Sequence, residues 1–383
     1  MCDPWTRRRF AGSAAALLLA GRTARAATPG ETLPLAQVVE LTGALSRSGD
    51  AWRNGVELAV QEINAAGGLL GKLLQVTTHD AQSTSAGGHA AMRAALEADP
   101  LVVLGPARSD PARGALLVPR GRGTPVILGG GAADLTGPAH PATFRAIPST
   151  QAMMARFALW LHDAGKPGRI AILWSGHDPY RTSRDAFVHE ARARGLEIAA
   201  EWVTPGTDPA ADTSRLLKAA PDSLLLLVPE DIAGRAMAEV ARQAAPVRLL
   251  GGASLLDPRA LALAGAAAEG ARAHVLLSPD QDAGGFPARY AAANKQPPRE
   301  QALAGYLAVG MVKAALEKAG TADPRALAEA LRDLSVTAAD QPMLLGDCTW
   351  NANGDPDRQS FVVEVRDGSP HTVTALRDAG QAK

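Results

Sequence analysis

The chain has 383 residues, with 39 Lys plus Arg balanced by 39 Asp plus Glu, and 46% of its residues are hydrophobic. Balanced charge argues against nucleic acid or an anionic membrane surface as a partner, and the length exceeds what one compact core holds. Past the N-terminal segment no stretch stays apolar for the ~18 residues a spanning helix needs, so stable membrane insertion is not expected. The first 26 residues read as an export signal. Thr6-Arg7-Arg8-Arg9-Phe10 fits the twin-arginine pattern, an apolar core follows over 11–20, and Ala24-Arg25-Ala26 offers a small-x-small cleavage site. An ordinary secretory signal with extra arginines is the alternative. Cleavage would take Lys plus Arg from 39 to 34 and Asp plus Glu from 39 to 38, a net charge of about −4. It would also remove Cys2 and leave Cys348 without an intramolecular disulfide partner.

Apolar runs over 35–41 and 73–78 read as strands on either side of a helix. In that helix Val56, Ala59, Val60 and Ile63 fall at i, i+3, i+4 and i+7 and share one face. Asp50 is placed to cap its start, and Gly67 to adopt the left-handed conformation at its end. Strand, helix, Gly-rich turn and strand make a right-handed crossover between parallel strands. Further strands are expected over 101–104, 125–128, 170–174, 223–228 and 247–251. Helices are expected over 83–97, 150–164 and 180–194. Continuous apolar runs suggest parallel sheets covered on both faces. The pattern occurs twice, with a break near 144–149, where Ser149 caps the next helix. This predicts α/β architecture with two doubly wound parallel-sheet lobes.

Asn54-Gly55-x-Glu57-Leu58-Ala59-x-x-Glu62-Ile63-Asn64-x-x-Gly67-Gly68, followed by Gly71-Lys72, resembles the first helix of periplasmic branched-chain amino acid-binding proteins. Leu104-Gly105-Pro106 with Ser109, Phe144-Arg145, Gly251-Gly252, Gly305-Tyr306 and Asn353-Gly354-Asp355 continue the resemblance in order. It implies a type I periplasmic binding protein, with a three-crossing hinge between a lobe of 33–146 plus 279–346 and a lobe of 147–278 plus 347–375. It also implies the substrate-binding protein of an ABC importer, a monomer without cofactor, working in the periplasm with an ABC permease as partner.

Several residues are candidates for the ligand site. A buried strand ending at Gly105-Pro106 and a helix capped by Asp110-Pro111 would gather backbone N–H groups at the carboxyl edge of a sheet, which favours anions. There Ser109 matches the family serine that holds a ligand carboxylate; its alternative role is to help cap the helix. Arg108 either pairs with a ligand carboxylate through two hydrogen bonds or is a solvated arginine. Gly130 lets the backbone approach a ligand closely, while Ala132 stands where the family often has a hydroxyl. Tyr180 matches an aromatic that closes over the ligand, unless it packs only on its own lobe. Ala253 replaces a frequent acid for the ligand ammonium, and Ser48 replaces a frequent aromatic. Glu230 and Asp231 would supply a substitute carboxylate or cap a helix beginning near Ile232.

Enzyme readings find little support. Ser109 lies in no Gly-x-Ser-x-Gly elbow, Cys348 has no nucleophile motif, and His79, Asp80 and His89 match no common metal-ligand spacing. The expected function is capture of an amino acid or related small carboxylate between two lobes by hinge closure, with no catalysis, cofactor or metal. The same fold binding an aromatic or aliphatic carboxylate or amide is one alternative. A ligand-presenting sensory module is another.

Overall fold

The computed structural model describes residues 31–118, 123–164, 168–176, 179–280 and 283–377. The expected export signal and Cys2 lie outside the described residues. Strand β1 (Thr32–Val39) runs parallel to β2 (Leu73–Asp80), and α1 (Ser46–Ala65) crosses between them. The helix starts earlier than expected. Its N-cap is Leu45, so Asp50 lies inside it and pairs with Arg53 at 3.1 Å instead of capping. Gly67 takes φ +100°, the turn that only glycine adopts without strain. Then follow α2 (Ser85–Glu97), β3 (Val102–Leu104), α3 (Ser109–Leu116), β4 (Val126–Leu128) and β5 (Thr143–Arg145). The first sheet has the order β2-β1-β3-β4-β5, all parallel.

The α1 motif is explained by packing. The Asn64 side-chain amide donates to Leu74 O at 2.9 Å and accepts from Leu74 N at 2.8 Å, fixing the helix end to β2. Glu62 accepts from Tyr306 Oη at 2.5 Å and from Arg289 Nε at 2.7 Å, tying α1 to α9 (Phe286–Asn294) and α10 (Glu300–Ala319). A Cβ on Gly55 would sit 2.0 Å from Ala302 O, and one on Gly305 2.3 Å from Trp52 O. These two glycines let α1 and α10 touch backbone to backbone.

The second lobe begins with α4 (Thr150–Asp163), β6 (Arg169–Ser175), α5 (Tyr180–Ala193), β7 (Glu197–Thr204) and α6 (Pro209–Leu217). It continues with β8 (Ser223–Leu227), α7 (Glu230–Arg242), β9 (Arg248–Gly251), α8 (Pro258–Ala264) and β10 (Arg272–Val275). Ser149 caps α4 as expected, accepting from Ala152 N at 3.2 Å. The chain then returns to the first lobe through α9, α10 and α11 (Pro324–Arg332). A small antiparallel sheet comes next: β11 (Ser335–Val336), β12 (Cys348–Trp350) and β13 (Pro356–Arg358). Finally β14 (Ser360–Arg366) and β15 (Ser369–Leu376) join the second sheet, of order β15-β14-β10-β9-β8-β6-β7.

This sheet is mixed, not parallel throughout as expected. β14 runs antiparallel to both β10 and β15. Asp367-Gly368, with φ of 51° and 73°, makes the two-residue hairpin turn that sets β15 antiparallel to β14. The small sheet also bears on the hinge. Trp350 Nε1 donates to Arg145 O, and Arg145 N to Gly354 O, each at 2.9 Å. Trp350 and Gly354 thus bond to β5, while Asp357 and Arg358 O accept from Arg156 of α4, both at 2.6 Å, and the chain enters the second sheet at Ser360. Every position of β3, β4 and β8 is buried, as strands covered on both faces require.

Candidate functional site

At the carboxyl edge of the first sheet, α3 starts at Ser109, two residues earlier than its sequence suggests. Arg108 is the N-cap and Asp110 lies in the first turn, not at the cap. Ser109 does not cap this helix with its side chain. Its Oγ accepts from Ala132 N at 3.1 Å, which leaves the hydroxyl proton to donate elsewhere. The loop after β4 rests directly on it: a Cβ on Gly130 would lie 3.1 Å from Ser109 Cα and 3.2 Å from Ser109 N. Gly131 O accepts from Thr150 N at 2.9 Å, joining the loop to the start of α4.

Arg145 fixes this loop from below. Fully buried at the end of β5, it donates to Gly130 O, Ala132 O and the Asp355 carboxylate. Burial pulls its pKa down from the ordinary value, and Asp355 pulls it back up. Ala132 therefore has its N–H taken by Ser109 and its C=O by Arg145.

Glu40, just past β1, completes this half. It is 0% exposed, and its Oε1 accepts from Arg108 N at 3.0 Å. Its Oε2 has no hydrogen-bond partner. Burial pushes the carboxyl up to about 7, against the opposing pull of backbone N–H groups and Arg108. The Arg108 guanidinium is half-buried and forms no ion pair among the described residues. Its field reaches Glu40, Glu300 at the start of α10, and Tyr180 of the second lobe.

Tyr180 opens α5 and is half-buried against the core. Burial pushes its phenol up to about 12; Arg108 and Arg299 pull it down, Glu230 and Asp231 push it further up. Glu230 opens α7 without capping it, because the N-cap is Pro229 and no side chain bonds there. Its carboxylate instead meets Arg47 of α1 at 2.5 Å and Arg299, the N-cap of α10, at 3.7 Å. Arg299 also pairs with Asp257 at 2.7 Å. Two first-lobe arginines thus hold two second-lobe carboxylates. Asp231 has no ion pair among the described residues.

The expected residues therefore fall into three sets. Arg108, Ser109, Gly130 and Ala132 form one bonded cluster. Glu230, on the second lobe, is paired with Arg47 and Arg299, and Tyr180 opens α5 on the same lobe. Ser48, half-buried on α1, and Ala253, which opens a short 3-10 turn packed on the second-lobe core, have no bond to either set among the described residues. Glu40, Arg145, Arg47, Arg299 and Asp257 were not singled out as site residues. A lone carboxylate closing an apolar strand at a sheet's carboxyl edge was a readable signal for Glu40. Arg47 and Arg299 carry no local signal, since only the lobe arrangement gives them partners.

Other candidates have ordinary tasks. Asp80 accepts from Leu41 N at 2.9 Å and Thr42 Oγ1 at 2.7 Å, knotting the β1–α1 turn. Burial pushes the Cys348 thiol up to about 12, which keeps it un-ionised. A cavity of about 240 Å³, lined by Trp160, Arg248, Arg272 and Glu364 among others, lies at the amino ends of β8–β10, away from this cluster.

Comparison with known proteins agrees with this architecture. The Leu/Ile/Val-binding protein BraC3 of Rhizobium johnstonii is 29% identical over 341 residues, 85% of this chain and 89% of that protein. A solute binding protein of an ABC transporter from Rhodopseudomonas palustris BisB5, solved with 3,4-dihydroxybenzoic acid, superposes with a TM-score of 0.76 at 21% identity. The alignment covers 90% of this chain and 97% of that one. An ABC transporter substrate-binding protein from Desulfitobacterium hafniense, solved with Leu, gives 0.71 at 24% identity, covering 90% and 100%. The family model described as periplasmic binding protein matches residues 32–370, and the chain belongs to that family.

Proposed function

We propose that this protein is the extracytoplasmic solute-binding protein of an ABC importer, capturing a small carboxylate between its two lobes and presenting it to a permease. The observation that carries the reading is the pairing of a prebuilt anion site on one lobe with charges that reach across from the other. Ser109 has a free hydroxyl proton beside the N-terminus of α3, and Arg108 has an unused guanidinium next to it. Tyr180 supplies an apolar face from the second lobe. The ion pairs from Arg47 and Arg299 to Glu230 and Asp257 exist only when the lobes meet. A ligand touching both walls therefore shifts a hinge equilibrium towards the closed form. Export, with the twin-arginine route suggested by Arg7-Arg8-Arg9, is part of this proposal.

The relatives leave two ligand classes open: branched-chain amino acids and aromatic acids. One observation favours an acid without an α-ammonium. Glu230, the expected substitute partner for that ammonium, is already neutralised by Arg47 and Arg299, and Ala253 offers no charge. Asp231 is the remaining carboxylate near Tyr180. Burying an ammonium without a partner costs several kcal/mol in order of magnitude. A thermal-shift screen of amino acids, their deaminated analogues and aromatic carboxylates tests this, because a ligand stabilises by an amount set by its concentration over Kd. The deaminated or aromatic acids should shift unfolding more than the amino acids. A screen won by amino acids would reject the second reading, and one without any carboxylate hit would reject the first.

A further inference from the structure

Most carboxylates that end a strand at a sheet edge reach water. Glu40 does not: it is 0% exposed, one oxygen holds the backbone N–H of Arg108, and the other has no partner. Granting the carboxylate reading above, we propose that Glu40 is a proton-coupled positioning residue of the anion site, taking up a proton when a carboxylate ligand engages Arg108 and Ser109.

The surroundings of Glu40 set its charge. From α3 it faces the Arg108 amide and guanidinium, and Asp110 of that turn is exposed. From α1 it meets the backbone of Gly49, where a Cβ would lie 2.0 Å from Glu40 O. The charged α1 residues Asp50 and Arg53 pair with each other. From β2, Asp80 is engaged by the amides of Leu41 and Thr42. Arg108 is a charge that favours ionised Glu40, together with the backbone N–H groups of Glu40, Arg108 and Ala107. Burial opposes it and brings the carboxyl up to about 7.

A bound carboxylate changes this balance in one direction. It adds a negative charge beside Arg108, and it draws the guanidinium field away from Glu40. Both effects favour the protonated acid. Linkage then requires the converse: protonating Glu40 strengthens binding of the anion. The N–H bond from Arg108 survives, because a protonated carboxyl still accepts through its carbonyl oxygen. A Glu40 that merely braced Arg108 would give no such coupling.

The test is calorimetric titration of the full chain with 3,4-dihydroxybenzoate and with L-leucine, at pH 6 to 8 and in two buffers of different ionisation enthalpy. For whichever probe binds, a fraction of a proton should be taken up near pH 7. Affinity should rise roughly three- to tenfold from pH 8 to pH 6. Glu40→Gln should lose that proton uptake and flatten the pH profile of binding. Binding without proton uptake, or a slope that survives in Glu40→Gln, overturns the coupling and leaves the carboxylate reading standing. Binding of neither probe counts against both. Where Glu40→Gln fails to fold, the wild-type proton count alone decides.

Discussion

On the first lobe, Ser109, the Gly130–Ala132 backbone, Arg145 and Asp355 are bonded to one another, and Glu40 holds the residue before Ser109. On the second lobe, the carboxylates of Glu230 and Asp257 take arginine partners from across the gap. One wall is bonded within its own lobe; the other takes its partners from the opposite lobe. The difference assigns roles. A preorganised wall binds without a large ordering cost, whereas a wall that borrows its partners reports whether the lobes have closed.

The sharpest way to break this comparison is to loosen the rigid wall. Arg145→Met removes a fully buried cation that serves two carbonyls and Asp355. Removing one partner of a buried pair costs about 3–5 kcal/mol, read here as a lowered urea midpoint. Carboxylate affinity should fall with it, because the Gly130 loop loses its support. A loss below about 1 kcal/mol would mean that the loop is held by packing and that the wall is not prebuilt by hydrogen bonds.

Glu40 gives the next effect, and its sign follows from linkage. The folded chain holds this carboxyl at about 7, above the 4.5 of a free glutamate. Folding therefore becomes less favourable as pH rises from about 4.5 to about 7, and the full penalty, about 3 kcal/mol, is present above that window. Glu40→Gln removes the charge but keeps an acceptor for Arg108 N. It should raise the melting temperature at pH 8 and change little at pH 4.5. An equal shift at both pH values would mean that the gain is not electrostatic.

How much of this was readable depended on how local each interaction is. The strand runs and the Thr150 helix were legible because burial on both faces leaves continuous apolar sequence and Ser149 caps its own helix. That Ser109 and the Gly130 loop lie at the carboxyl edge of the first sheet was legible because a strand end, a proline and a glycine loop are local features. The start of α1 was misread, since Asp50 has capping chemistry but Arg53 one turn away takes its carboxylate. The antiparallel β14–β15 hairpin was missed although Asp367-Gly368 is a strong turn signal, because the run of parallel crossovers had set the expectation. Glu230 was placed near the site, yet its partners Arg47 and Arg299 are far from it in sequence. No spacing rule connects them, and only the approach of the lobes does.

Ser109→Ala tests the anion site itself. It removes the Ser109 hydroxyl, along with the acceptor for Ala132 N. A carboxylate ligand should weaken by about 1–3 kcal/mol, roughly 5- to 150-fold in Kd. Unfolding should move far less than in Arg145→Met, because Ala132 stays clamped through its carbonyl. Unchanged affinity would remove Ser109 from the site and shift the anion contact to Arg108.

The smallest effect belongs to the borrowed wall. The Arg47 side chain is 61% exposed, so its 2.5 Å ion pair with Glu230 is heavily screened by water. Exposed pairs contribute about 0.2–1 kcal/mol, and Arg299 still holds Glu230 when Arg47 is gone. Arg47→Ala should therefore weaken every ligand by the same few-fold factor, without changing their order, because it acts on closure and not on a ligand contact. Raising NaCl should erode wild-type affinity and narrow its gap to the variant, since screening removes what the substitution removes. A salt dependence unchanged by Arg47→Ala would show that the arginine plays no part in closure. A change confined to ligands that carry an ammonium would show instead that Glu230 is a ligand contact, and that Arg47 competes with the ligand for it.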